Sequence, residues 1–238
     1  MSEKNFLVAG GNSGIGRELV SLLLEADANI TVLSRNREGV PEGAGVRHHV
    51  WDVRNPFPDT GELPEIPEKL DGAVYLPGTI KLKPFPLLKD DDYLTDYTVN
   101  VLGAVRMVRG VIKNLKAGRG GVVFFGSAAG TTGFPFHASI GPAKAALGGL
   151  TRSLAAEFAA SGVRFNLIAL SLTDTPLAAG LLRTEKQRSA AEQRHPLKGI
   201  GDASEAASWA LKLLEPESRW ITGQMITLDG GIGTLRSG

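Results

Sequence analysis

Short apolar runs alternate along this chain with longer stretches whose apolar residues recur every three or four positions. Residues 5–9 form a compact apolar run, followed by a glycine cluster and then by helical spacing over 17–26. Residues 30–33 are brief and β-branched, and 46–51 and 72–76 are further strand candidates. Residues 90–116 predict one long helix, opened by Asp90, Asp91 and Asp92 and closed by Lys113 and Lys116, in accord with the helix dipole. Tyr93, Tyr97 and Val101, then Val105 and Val108, mark its expected packed face, toward the core or a subunit contact. A buried strand is expected at 121–125, an Ala- and Leu-rich helix with Pro142 in its first turn at 142–160, and strands at 163–170 and 225–228. Strands alternating with helices imply right-handed crossovers and a doubly wound parallel α/β sheet covered on both faces. No repeat or linker divides residues 1–238, so a single domain is expected. Pro56, Pro58, Pro64 and Pro67 leave only short or broken helix between the third and fourth strands.

Composition narrows the partners. Lys and Arg total 26 against 25 Asp and Glu, so no basic excess drives phosphate-backbone binding and nucleic acid is not an expected partner. With no cysteine there is no disulfide, thiolate nucleophile or cysteine metal site. His48, His49 and His195 lack metal spacing and read as structural or solvent-facing, so no metal is expected. An apolar run from Phe6 leaves no room for a signal peptide, and no run approaches the roughly 18 residues of a membrane span. The expectation is a cytoplasmic protein without a membrane partner.

Candidate chemistry begins where the first strand meets Gly10-Gly-Asn-Ser-Gly14-Ile-Gly16. Glycines let the backbone turn tightly and approach a pyrophosphate whose charge faces the helix N-terminus, although a plain strand-to-helix turn uses glycine too. The spacing resembles the short-chain dehydrogenase/reductase family, and the likeness runs in order over almost the whole chain. Asp52-Val53, Asn100, Gly126-Ser127-Ala-Ala-Gly130, Lys144, Arg164-Phe-Asn166, the Thr175 region and residues 221–231 match motifs of that family. The resemblance implies a Rossmann-type fold and a homo-dimer or homo-tetramer built through the helices at 90–116 and 142–160. It implies cofactor contacts from Gly10, Asn12, Ser13, Gly14, Ile15, Gly16, Asp52, Val53, Gly78, Lys144 and Thr175, and catalytic roles for Ser127, Lys144 and Asn100. At the end of the second strand stand Ser34 and Arg35 in place of a carboxylate. A guanidinium there can pair with a 2′-phosphate, which favours NADP(H) over NAD(H), although Arg35 beside Arg37 also reads as a solvated loop charge.

One position breaks the pattern. The family holds its proton-transferring tyrosine four residues before the lysine, one helical turn away on the same face. Here that residue is Ile140, which carries no proton. His137, three residues earlier, is a candidate donor and otherwise a pocket-lining or structural histidine. Tyr75 is badly placed at the end of the fourth strand. Tyr75-Leu-Pro-Gly78 replaces the family's Asn-Asn-Ala-Gly, and Leu170-Ser171 replaces its Pro-Gly. Residues 174–200 correspond to a substrate lid, where Leu177, Leu181 and Leu182, with Phe134 and Phe136 nearby, suit a small-molecule substrate with an apolar portion. The leading expectation is an NADP(H)-dependent oxidoreductase acting on a carbonyl or alcohol by an altered proton route. The alternatives are an NADP(H)-binding regulatory or scaffold protein without turnover, and a silent subunit of a mixed oligomer.

Overall fold

Apolar runs bounded by glycine and polar residues become seven strands in a computed structural model that describes residues 4–58 and 66–235. These are β1 (Asn5–Ala9), β2 (Asn29–Ser34), β3 (Val46–Val50), β4 (Gly72–Tyr75), β5 (Gly121–Ser127), β6 (Arg164–Leu170) and β7 (Met225–Leu228). They pair in parallel in the order β3-β2-β1-β4-β5-β6-β7. Alternating side chains feed two cores. Phe6 and Val8 pack with α1 (Gly14–Glu25) and α6 (Ala203–Leu214), while Leu7 and Ala9 pack with α3 (Gly103–Gly118) and α4 (Ile140–Phe158). The doubly wound sheet expected from the alternation of elements is therefore present, with strand ends shifted by one or two residues.

Order reverses at β1, which lies between β2 and β4, and such a switch opens a crevice beyond the strand C-termini. Ala9 pairs with Leu33 and Tyr75, and Ser127 pairs with Leu170, so the loops that follow β1, β4, β5 and β6 emerge on one edge. Among the described residues no helix is long and apolar enough to cross a membrane. Pro56, Pro58 and Pro67 lie in irregular backbone, and Pro64 falls outside the described residues.

The long helix expected at 90–116 runs continuously as α2 (Asp90–Tyr97), a π-helical turn (Thr98–Leu102) and α3. Tyr75 packs against the π-helical turn. Its buried hydroxyl donates to the Val99 carbonyl, and its ring occupies the space beside Gly103, where a Cβ would lie 2.0 Å from the hydroxyl oxygen. Desolvation holds the phenol protonated, far above its ordinary titration range. The expected packed face holds at buried Val101 and Val108 but not at its start. Asp92, Asp96 and Asn100 are buried, whereas Tyr93 is half-buried and Tyr97 exposed. The inward side of α2 meets Thr79, Lys81, Lys83 and Ser139, so polar side chains satisfy one another there in place of a hydrocarbon core.

The sequence reading also missed α5 (Glu185–Arg194) and α6. Asp202 caps α6 by accepting from the Ser204 and Glu205 amides at 2.7 and 3.1 Å. Its buried stripe of Ala206, Ala207, Ala210, Leu213 and Leu214 has helical spacing, but alanine carries little hydrophobic contrast.

Gly103→Ala should destabilise the protein by about 2 kcal/mol or more, through overpacking against Tyr75. Urea unfolding midpoints would measure it. Combining the change with Tyr75→Phe should recover part of the loss, because the two residues share one contact.

Candidate active site

The chain leaves β1 at Gly10, whose φ of +83° favours a residue without Cβ, and turns again at Gly14 with φ +49°. A Cβ on Gly16 would stand 2.1 Å from the Gly10 carbonyl oxygen, so α1 packs as closely as only glycine permits. No side chain caps α1 at Ser13, and its first turn holds no carboxylate. The positive end of the helix dipole therefore faces a cavity of about 600 Å³ lined by Gly10, Asn12, Ser13, Gly14, Ile15 and Gly16. A pyrophosphate fits this lining. The Asn12 amide donates to the Glu38 carbonyl at 3.2 Å, bracing the glycine loop against the segment after β2.

At one end the cavity meets Ser34, Arg35, Asp52, Val53 and Arg54. Arg35 is exposed. The buried Ser34 hydroxyl donates to the Asn36 carbonyl at 2.5 Å and contacts His48 Nε2 at 2.8 Å, so it shapes the loop that carries Arg35. Asp52 forms a forked ion pair with Arg54 at 2.5 Å, and that guanidinium holds its carboxyl down at about 2. Its negative charge is thus matched at this end of the cavity. Val53 contributes backbone, its carbonyl accepting from Arg106 at 2.8 Å.

The other end gathers Ser127, Ile140 and Lys144 with Gly78, His137 and Thr175. Ser127 accepts from the Ala129 amide at 3.1 Å, which leaves its O–H to donate into the cavity. Lys144 donates to the Phe125 carbonyl at 3.0 Å, and burial is the main cause of a fall in its pKa from 10.5 to about 8, opposed by the charge of Asp96. Ile140 opens α4 with 5% of its surface exposed, and its hydrocarbon lines the cavity one turn from Lys144. His137 lies a turn earlier, half-buried, with Nδ1 2.7 Å from the Pro135 carbonyl and its ring 5.6 Å from that of Phe134. Gly78 allows close approach: a Cβ there would meet Asn100 Oδ1 at 3.2 Å and Lys144 Nζ at 3.3 Å. Thr175 packs against Gly14 and joins the loop after β6 to the glycine loop.

Behind this surface is a buried network that the sequence reading missed. Asp96 accepts from Thr79 and Ser139 at 2.5 Å each, and Asn100 donates to Thr79 at 2.9 Å and to the Asp96 carbonyl at 2.8 Å. Asn100 Oδ1 is buried without a protein partner, beside the gap between Gly78 and Lys144. Asp96 stands four residues before Asn100, the spacing that places both on one helical face, and this was the available signal. Lid residues also need correction. Leu177 and Leu181 line the cavity, but Leu182 is buried away from it and Phe136 lines a neighbouring pocket. His195, expected to be structural or solvent-facing, is 3% exposed and lines the cavity. Among the described residues no group of three or more His, Cys, Asp or Glu could hold a metal ion.

A lysine whose folded pKa falls below its unfolded value binds fewer protons when folded between pH 8 and 10.5, so wild-type stability rises across that window. Lys144→Met should therefore melt above wild type at pH 7, with the advantage shrinking from pH 8 to 10.5. Thermal melts across this range check the sign.

The sequence matches a family model described as Enoyl-(Acyl carrier protein) reductase over residues 9–233. Carbonyl reductase family member 4 of Danio rerio is 34% identical over 245 residues, covering 96% of this chain and 98% of that protein. A tropinone reductase homolog of Arabidopsis thaliana is 32% identical over 240 residues, covering 95% and 78%. A short chain dehydrogenase family protein from Francisella tularensis has the same fold, with a TM-score of 0.89 at 23% identity and coverage of 98% and 100%. The Pseudomonas aeruginosa RhlG/NADP active-site complex gives 0.88 at 23% identity, with coverage of 97% and 96%. With its glycine loop, doubly wound sheet and serine–lysine cavity, the chain belongs to the short-chain dehydrogenase/reductase family of NAD(P)-dependent oxidoreductases.

Proposed function

We propose that this protein transfers hydride between NADP(H) and a carbonyl or alcohol substrate by a proton route that does not use residue 140. The observation that carries the reading is one continuous cavity joining Arg35, the glycine loop, Ser127 and Lys144, with buried Ile140 beside them. A bound nicotinamide cofactor supplies or accepts the hydride. The first turn of α1, with Asn12 and Ser13 in the loop before it, holds the pyrophosphate, and Arg35 pairs with a 2′-phosphate while Arg54 matches the charge of Asp52. Lys144 holds the nicotinamide ribose, Thr175 and Gly78 bound the nicotinamide end, and Asn100 Oδ1 accepts from a water in the gap beside Gly78. Ser127 donates to the substrate oxygen and polarises the carbonyl.

Phe134, Leu172, Leu177 and Leu181 line the same cavity and suit an apolar portion of the substrate. His137 is a candidate proton donor by position, one helical turn before Ile140. Exposed Leu94, Tyr97 and Leu102 on the α2 face suit association into a homo-dimer or homo-tetramer, and we assign the protein to the cytoplasm. RhlG was solved with NADP and 4-hydroxyisoleucine dehydrogenase with NADH, so the preference for NADP(H) rests on Arg35 itself.

Ile140 also supports a second reading, a protein that binds NADP(H) without turnover. Calorimetric titration separates the possibilities. NADPH should bind at least about tenfold more tightly than NADH, a difference of about 1.4 kcal/mol, and Arg35→Ala should erase that margin. Binding followed by carbonyl reduction that Ser127→Ala abolishes excludes the second reading. Binding without hydride transfer across a broad carbonyl and alcohol panel establishes it. Failure to bind either nucleotide ends both.

A further inference from the structure

With a hydrocarbon at residue 140, the proton that completes carbonyl reduction needs another source. The cavity holds a second polar pair that the roles above leave unused. Ser171 Oγ lies 2.7 Å from His195 Nε2, and His195 Nδ1 lies 2.9 Å from the Ala191 carbonyl. A carbonyl only accepts, so Nδ1 carries the hydrogen, and in a neutral ring Nε2 accepts from the Ser171 hydroxyl. Both residues line the cavity, Ser171 half-buried and His195 buried. Ser127 pairs with Leu170 across β5 and β6, and Ser171 is the next residue. At ordinary strand spacing and rise, the Ser127 and Ser171 backbones are about 6 Å apart, on the same edge of the sheet. A hydroxyl, a ring that exchanges protons with it and a carbonyl that orients the ring form the arrangement proton transfer requires.

We infer that Ser171 and His195 form the proton relay that replaces the missing phenol; the inference rests on the oxidoreductase reading above. While His195 is neutral, the Ser171 hydrogen is directed at Nε2. Once the ring is protonated, Nε2–H donates to Ser171 Oγ and the Ser171 O–H is free to point into the cavity. The bound reduced nicotinamide would supply hydride to the carbonyl carbon, and the carbonyl oxygen, gaining the C=O π pair, would take the Ser171 proton. Ser171 Oγ takes the Nε2 proton, and the ring regains one from solvent. The carbonyl is reduced, the nicotinamide oxidised, and one solvent proton consumed. Ser171 is the catalytic donor, and His195 is a positioning residue that recharges it. His137 lines the cavity too, but its Nδ1 is held by the Pro135 carbonyl on the segment before α4, and among the described residues no second polar side chain pairs with its ring.

Ionisable groups on the segments around the His195 ring are Glu192, Arg194 and Lys198 on its own stretch and Asp229 beside Gly230, which packs against the ring. The Lys198 ammonium donates to the Gln193 carbonyl at 3.0 Å, and the Asp229 carboxylate accepts from the Gly231 and Gly233 amides.

The test compares wild type, Ser171→Ala, His195→Gln and Ser171→Ala/Ile140→Tyr by three measurements: NADPH titration, carbonyl-reduction kinetics from pH 5 to 9, and ¹⁵N NMR of the His195 ring in the NADP⁺ complex. Ser171→Ala should bind NADPH as wild type does and lose about 10²–10⁴ in kcat. Wild-type kcat should fall with rising pH, and His195→Gln should lack that limb. Restoring the phenol in Ser171→Ala/Ile140→Tyr should recover turnover, which a merely structural serine would not allow. The relay is overturned if Ser171→Ala weakens only NADPH affinity, if the kinetic limb persists in His195→Gln, or if His137→Gln removes activity while Ser171→Ala does not. In each of those cases the oxidoreductase reading stands. Wild type that binds NADPH and reduces nothing overturns both.

Discussion

Parallel pairing makes the loops after β1, β4, β5 and β6 leave the sheet on one edge, and the order reversal at β1 holds them apart as a crevice. The functional geometry follows from that constraint. Because Ala9 pairs with Tyr75, the glycine loop faces the Leu76–Gly78 segment; because Ser127 pairs with Leu170, the serine faces the segment that follows β6. Nothing in the local chemistry of any one loop brings these groups together. Two hydrophobic cores, one on each face of the sheet, keep the strand register from slipping, since a one-residue slip would exchange the residues facing each core.

Around the reacting centre, polarity has been redistributed. Ile140 removes a phenol from the cavity wall and leaves hydrocarbon one turn from Lys144, whose ammonium is held back chiefly by burial. Asp96 lies behind the lysine in a closed set of hydrogen bonds with Thr79, Ser139 and the Asn100 turn, and its charge partly offsets that desolvation. The Asp96 carboxylate on the inner face of α2 is met by hydroxyls from two loops, Thr79 and Ser139. The π-helical turn belongs to the same arrangement. Tyr75 fills the space where a regular helix would run, and the extra residue carries Asn100 toward the Gly78 gap.

Much of this was legible in the chain. The strand–helix alternation determined the sheet, because β-branched and aromatic runs bounded by glycine have few other uses. The glycine loop, Ser127, Lys144 and the loss at Ile140 were readable because backbone-limited turns and one-turn helical spacing are local rules. Tertiary structure alone decided the rest. The π-helical turn at 98–102 meets Tyr75, more than twenty residues earlier in the chain. The buried face of α2 depends on Thr79 and Ser139, which reach it from two separate loops. His195 read as structural or solvent-facing, and its place in the cavity was hidden because its partner Ser171 lies 24 residues earlier in the chain. Local periodicity specifies which residues share a face, but hydrogen-bond partners distant in sequence are chosen by packing, and packing is not written at any single position.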